Sequence, residues 1–282
     1  MNTRANRICT LAAAILIAGC TAGEQKVTTI QRQWPASQIR TIEVDGVDGS
    51  LAVEAGSPNE ITLVAHVRSV GVDSRKNAQN EGYFESDVDG DTLRISQEHK
   101  RVNVGFPFIF RTKLAIDYQL RVPPTVALDL KMINGRIVSR GVDGATEITT
   151  VNGPIEVENA GTSELSARTV NGRVRAKFLQ DFHGARLKTV NGGVEATLPP
   201  TASFTCDLSQ VNGDFEASFP LSIHSNPGSR RVSGQVNGGR FDLQITTVNG
   251  DVEVQNFPVP PRPPIAPPAA PPQPVPPPAP VS

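Results

Sequence analysis

The sequence is short of rings, thiols and net charge. Aromatic residues make up 5% of its 282 positions, so its core must be mainly aliphatic. Three cysteines, Cys9, Cys20 and Cys206, are too few for a disulfide framework. A formal charge of −1 supplies no basic stripe to neutralise phosphates, which removes the electrostatic case for nucleic acid. No stretch shows convincing helical spacing, and Gly-x-Ser-x-Gly, His-Glu-x-x-His and Walker-type loops are missing. The four histidines, His66, His99, His183 and His224, lie far apart and share no motif. The sequence therefore recommends no catalytic residue, no metal ligand and no cofactor. Its most metal-like stretch, Asp87-Val88-Asp89-Gly90-Asp91, lacks EF-hand spacing and a distal glutamate, and reads as a hairpin turn entering a strand.

What is present begins at the N-terminus. Arg4 and Arg7 precede an apolar stretch, Leu11 to Ala18, that is too short to span a bilayer and ends in Ile17-Ala18-Gly19-Cys20. This resembles the lipobox of bacterial lipoproteins, which implies cleavage of a signal peptide, residues 1–19, and acylation of Cys20. Acyl chains contribute roughly 0.8 kcal/mol per buried methylene, enough to hold the protein on a membrane without a transmembrane helix. Thr21 stands where the usual lipoprotein sorting rule would place an aspartate for inner-membrane retention, so the outer membrane is favoured. Cleavage removes Arg4 and Arg7, two positive charges, and takes the formal charge from −1 to −3. Residues 20–37, including Trp34, read as lipidated Cys20 and a polar tether.

From Ile39 apolar residues alternate with polar ones, as in half-buried strands. Ile42 and Val44, Leu51 and Val53, and Leu114 to Val122 show the pattern, with turns read at Asp45-Gly46, Asp48-Gly49 and Ser57-Pro58-Asn59. Residues 38–125 are thus an N-terminal β region. Residues 126–256 carry a repeat. Asn-Gly recurs at Asn134-Gly135, Asn152-Gly153, Asn171-Gly172, Asn191-Gly192, Asn212-Gly213, Asn237-Gly238 and Asn249-Gly250. Four residues before the asparagine stand Leu130, Ile148, Ala167, Leu187, Leu208 and Ile245. Three residues after it stand Ile137, Ile155, Val174, Val194, Phe215 and Val252. Asn237, flanked by Ser233 and Arg240, fails both tests and reads as a turn inside a degenerate coil. Two residues before the asparagine, Thr150, Thr169, Thr189, Gln210 and Thr247 suggest a stack of like side chains. Cys206 falls six before Asn212, level with Leu128, Leu165 and Leu243, and reads as a small buried hydrophobe.

Two architectures fit. Each Asn-Gly could be a type I′ hairpin turn in an antiparallel meander or sandwich. It could instead be one corner of a β-solenoid coil of about 20 residues. Like residues at fixed offsets in every repeat favour the solenoid, because stacked asparagines can form a hydrogen-bonded ladder. The expected fold is an all-β solenoid of six or seven coils behind an N-terminal β region.

The run "LRVPPTVALDLKMINGRIVSRGVDGATEITTVNGPIEVENAG" and the later "TVNG" units resemble the bacterial putative-adhesin family of unknown function, which includes many lipoproteins. The resemblance covers Ile39 to Phe257 and implies a β-solenoid body, an extracytoplasmic location and no established enzymatic activity. Ser218 to Gln235 departs from the pattern. Beyond it, 14 of the 26 residues from Phe257 to Ser282 are proline, which reads as a solvated polyproline II tail. The stretch Val104 to Phe110, "VGFPFIF", reads as a cap over an open end of the solenoid, or else a contact loop.

The expected function is a non-enzymatic, lipid-anchored lipoprotein of the bacterial cell envelope, facing the periplasm or the surface, that contacts a glycan or protein surface. The other readings are a carbohydrate-active β-helix enzyme and a periplasmic signalling or assembly accessory. Mixed outward charges at Arg136, Glu156, Glu158, Arg173, Arg175, Lys177 and Glu195, with no level repeating a carboxylate pair, argue against a catalytic groove.

Overall fold

The structure, a computed structural model, describes residues 26–70, 83–97, 113–159, 163–226 and 229–257. Cys20, Val104 to Phe110 and the proline-rich tail after Phe257 lie outside the described residues. Among those described there is no α-helix, only a short 3-10 turn at Ala36–Gln38. The strands are β1 (Lys26–Pro35), β2 (Thr41–Ala55), β3 (Glu60–Val70), β4 (Phe84–Asp89), β5 (Thr92–Gln97), β6 (Lys113–Val122) and β7 (Ala127–Arg140). There follow β8 (Thr146–Asn152), β9 (Ile155–Asn159), β10 (Leu165–Asn171), β11 (Val174–Phe178), β12 (Ala185–Lys188) and β13 (Val194–Leu198). The last are β14 (Phe204–Asn212), β15 (Phe215–Ala217), β16 (Ser222–Asn226), β17 (Ser229–Val236), β18 (Phe241–Asn249) and β19 (Val252–Asn256).

These strands stack into two faces joined along a corner, which makes the chain an all-β solenoid. One face runs β4-β5-β2-β7-β8-β10-β12-β18-β14-β17-β16, using the first halves of β2 and β7. The other runs β1-β3-β6-β2-β7-β9-β11-β13-β19-β15, using their second halves. Asn-Gly marks the corner between the faces. A type I′ hairpin would pair β8 with β9; instead β8 lies parallel between β7 and β10, and β9 between β7 and β11.

The core fills the gap between the faces. In each coil the residues six and four before the asparagine and three after it point inward, as with Leu165, Ala167 and Val174, all fully buried. A leucine, isoleucine or valine at these positions contributes about 1.5–3 kcal/mol when taken fully from water, so the stack, not any single coil, holds the fold. Rings are few but grouped. Phe178, Phe182, Phe204 and Phe219 form a chain of edge-on contacts with centroids 5.0, 5.8 and 5.2 Å apart, and Phe84 meets Tyr118 at 5.7 Å. Cys206 is fully buried beside Leu243 of the next coil, and burial, aided by Asp207, pushes its thiol up to about 12.

Two features differ from the reading of the sequence, and a third goes beyond it. Lys26–Pro35, expected within the tether, is strand β1, paired antiparallel with β3 and burying Trp34. Backbone pairing along a sheet edge needs no apolar periodicity, so a polar strand leaves little trace in sequence. Asp45-Gly46 is not a turn: it runs straight in β2 opposite Lys131-Met132, and Gly46 leaves the room that the Met132 side chain fills. Finally, the coils do not stack in chain order. The coil carrying Asn249 lies between those of Asn191 and Asn212.

Candidate functional site: the corner ladder and the return-loop pocket

Each corner asparagine donates its side-chain N–H to the side-chain oxygen of the asparagine one level below. The bonds run from Asn152 to Asn134, Asn171 to Asn152 and Asn191 to Asn171 at 2.8 Å, then from Asn249 to Asn191 and Asn212 to Asn249 at 2.9 Å. Asn134 in turn donates to the Asp48 carboxylate at 2.8 Å. Asp48 is therefore the lowest level of the ladder, a position not recognised in the sequence. A signal existed: Val44 stands four before it and Leu51 three after, the spacing of the asparagine corners, with aspartate substituted at the base. A carboxylate only accepts, so it ends the ladder where no further amide follows.

The glycine after each asparagine has a steric cause. A Cβ at Gly172 would overlap the Gly153 carbonyl, one at Gly192 the Gly172 carbonyl, and one at Gly250 the Gly192 carbonyl. Gly135, Gly153 and Gly213 stand against the carbonyls of Gly49, Gly135 and Gly250 in the same way. Two residues before the corner, Thr169, Thr189 and Thr247 donate their buried hydroxyls to the glycine carbonyl one level below at 3.1, 2.9 and 3.1 Å. Gln210 does the same to Gly250 at 2.8 Å. Asn237 has no place in the ladder. It sits at φ 49° and ties its turn to the carbonyls of Pro200 and Ala202.

The outward walls are made of paired charge. Glu156, Arg175 and Glu195 stand at one level of successive coils, with Arg175 3.5 Å from Glu156 and 2.7 Å from Glu195. The hydrogen bond that Arg175 donates to Glu195 raises the Arg175 pKa further. Arg136 reaches Glu156 at 3.7 Å and Lys177 reaches Glu158 at 3.9 Å. These carboxylates are neutralised by their neighbours and form no acid–base pair across a cleft. The residues just before the asparagines, Ile133, Val151, Val170, Val248 and Val211, are 37–44% exposed and line up beside the ladder.

Opposite the asparagine corner, the return loops behave differently. The β11–β12 loop, the β13–β14 loop and the β17–β18 turn enclose a cavity of about 340 Å³. Its floor includes the buried Phe182 and Ala202. Its walls carry Gln180, Asp181, His183, Thr201, Arg240 and Phe241. The Phe241 ring lies 4.6 Å from the His183 ring and 5.2 Å from the Arg240 guanidinium. Ser203 also lines the cavity, but its hydroxyl donates to the Asn237 carbonyl at 2.7 Å and accepts from the Arg240 backbone N–H at 3.0 Å. That hydroxyl is a structural bridge and not an activated nucleophile. No motif marks this pocket, because its residues come from three segments with no common spacing. Among the described residues no group of histidine, cysteine, aspartate and glutamate side chains is placed to hold a metal ion.

Fold and corner together define a β-solenoid with Asn-Gly corners. Residues 127–255 match the model of the Toastrack DUF4097 family. Similar solved structures include a putative cell adhesion protein from Clostridium sporogenes, 9% identical, spanning 82% of this chain and 100% of its own, with a TM-score of 0.34. A putative adhesin from Bacteroides fragilis is 13% identical over 81% of this chain and 97% of its own, with a TM-score of 0.35. A putative lipid binding protein from Parabacteroides distasonis is 11% identical over 81% and 96%, with a TM-score of 0.29. No curated protein matches the chain.

Proposed function

We propose that the protein is a lipid-anchored binding module of the bacterial cell envelope, adhesin-like and non-enzymatic, which holds its ligand at the return loops. What supports this reading is how the polar side chains are used. Corner amides bind one another, corner threonines bind glycine carbonyls, and wall charges pair across coils. At the return loops, by contrast, Gln180, Asp181, Thr201 and Arg240 line one cavity together with Phe241. Pockets of roughly 300–1,000 Å³ with a few convergent polar groups are the usual form of a small-ligand site.

The anchor is Cys20, on the outer membrane by the sorting argument. Cys20→Ser should move the protein from the membrane fraction to the soluble one, and a fully membrane-bound variant would contradict the anchor. The same soluble variant tests the function. It should be retained on immobilised envelope polysaccharide with no change in the length distribution of the polysaccharide. Turnover of the polysaccharide would instead support the carbohydrate-active reading.

A further inference from the structure

We infer that the return-loop pocket binds one pyranose ring of a glycan. The inference rests on the reading of the protein as a binding module and names the ligand class for that site. Its charge decides first. Asp181 disfavours an anion in the cavity and Arg240 disfavours a cation, and both line it. The ligand that suits both is one whose polar atoms donate and accept at once. A hydroxyl does so: its O–H donates to the Asp181 carboxylate, and its oxygen accepts from the Arg240 guanidinium. Gln180 and Thr201 each offer donor and acceptor together, which extends the match to neighbouring hydroxyls.

Shape decides next. Phe241 and His183 meet at 4.6 Å with their planes tilted by 49°, and together they form a ring-lined wall beside the polar groups. Phe182 and Ala202 add apolar surface below. A pyranose has this same division, with hydroxyls around its rim and C–H groups on its faces. A volume of about 340 Å³ lies at the small end of ligand sites, which fits a single ring with the rest of a chain leading out to solvent.

The backbone of the site is held independently of any ligand. Ser203 and Asn237 tie the β13–β14 loop to the β17–β18 turn through four hydrogen bonds: Ser203 to the Asn237 carbonyl, the Arg240 N–H to Ser203, and Asn237 to Pro200 and Ala202. Phe182 pins the β11–β12 loop between Phe178 and Phe204. The three loops are therefore positioned before binding, which lowers the ordering cost that a sugar would otherwise have to offset.

The test uses the full chain carrying Cys20→Ser, on beads coated with a panel of neutral and N-acetylated polysaccharides, with free methyl pyranosides as competitors. At least one polysaccharide should retain the protein and one methyl pyranoside should release it. Arg240→Ala, at an exposed side chain, should weaken retention about tenfold or more by removing a charged hydrogen-bond donor. Thr201→Trp should abolish it by filling the cavity. Arg168→Ala, on the outer wall, should leave it unchanged. Retention that survives Thr201→Trp would overturn the pocket while leaving the binding reading intact. Retention on protein-coated beads and on no polysaccharide would overturn the saccharide class. Retention on neither would overturn the binding reading itself.

Discussion

The lower and upper halves of the solenoid obey the same local rules but different global ones. From Asn134 to Asn191 each coil stacks on its predecessor, and chain order equals stack order. Above Asn191 the chain overshoots: β14 and β15 form the top coil, β16 and β17 fold back antiparallel as a hairpin, and β18–β19 then occupy the level beneath. The corner does not register the change. Asn249 donates to Asn191 and accepts from Asn212 with the geometry of any other level. Equal coils are interchangeable at their corners, so what sets the order is the length and pairing of the segment between them.

The two halves should differ most at a glycine. In the regular stack, Gly172→Ala would drive a methyl group into the Gly153 carbonyl, and it should cost about 3 kcal/mol or more in denaturant unfolding. Gly238→Ala, in the turn that leads into the inserted coil, meets no backbone atom within 4 Å and carries only the strain of φ 92°, about 1 kcal/mol. Equal losses at the two positions would contradict the close approach of stacked corners.

A second difference appears at alkaline pH. Burial raises the Cys206 thiol from 9.0 to about 12. The unfolded chain thus gives up its proton first, and the contribution of this group is complete below pH 9 and lost as pH rises toward 12. Wild type should lose about 2 kcal/mol more than Cys206→Ala between pH 8.5 and pH 11, and parallel pH profiles would contradict burial beside Leu243.

Much of this fold was legible because it is periodic. Leu165, Ala167 and Val174 sit at fixed offsets from Asn171, and the same offsets recur in each coil, so faces and corners could be assigned from spacing alone. The relegation of Asn237 to a turn followed from its flanks. The insertion was not legible, because the step from Asn212 to Asn249 spans close to two periods and no local signal says whether the later coil lies above or below. Strand β1 was hidden because it pairs through its backbone. The pocket was hidden because Asp181, Thr201 and Arg240 meet only when three return loops stack. Asp48 could have been found, had aspartate been admitted at the asparagine position.

Asn171→Ala should cost about 1 kcal/mol, and Asn237→Ala a similar amount, since each loses two hydrogen bonds. The two sites separate by coupling. Asn171→Ala and Asn191→Ala should be non-additive by about 0.5 kcal/mol or more, while Asn171→Ala and Asn237→Ala should add. Additivity within the ladder would remove its cooperative character. At the small end, Arg168→Ala, which loses an exposed pair with Glu147 at 3.6 Å, should change stability by less than about 0.5 kcal/mol. A larger loss would mean that the wall charges act as a network.

The most direct measurement is disulfide trapping of the coil order in a Cys20→Ser background. Glu195 pairs with Glu253, and Glu253 with Glu216, each at one strand spacing. Disulfides need Cα separations of about 4.4–6.8 Å, which one spacing of about 4.8 Å satisfies and two do not. The inserted order predicts that E195C/E253C and E253C/E216C cross-link under mild oxidation and that E195C/E216C does not. Efficient cross-linking of E195C/E216C would place the Asn212 coil directly on the Asn191 coil and contradict the insertion.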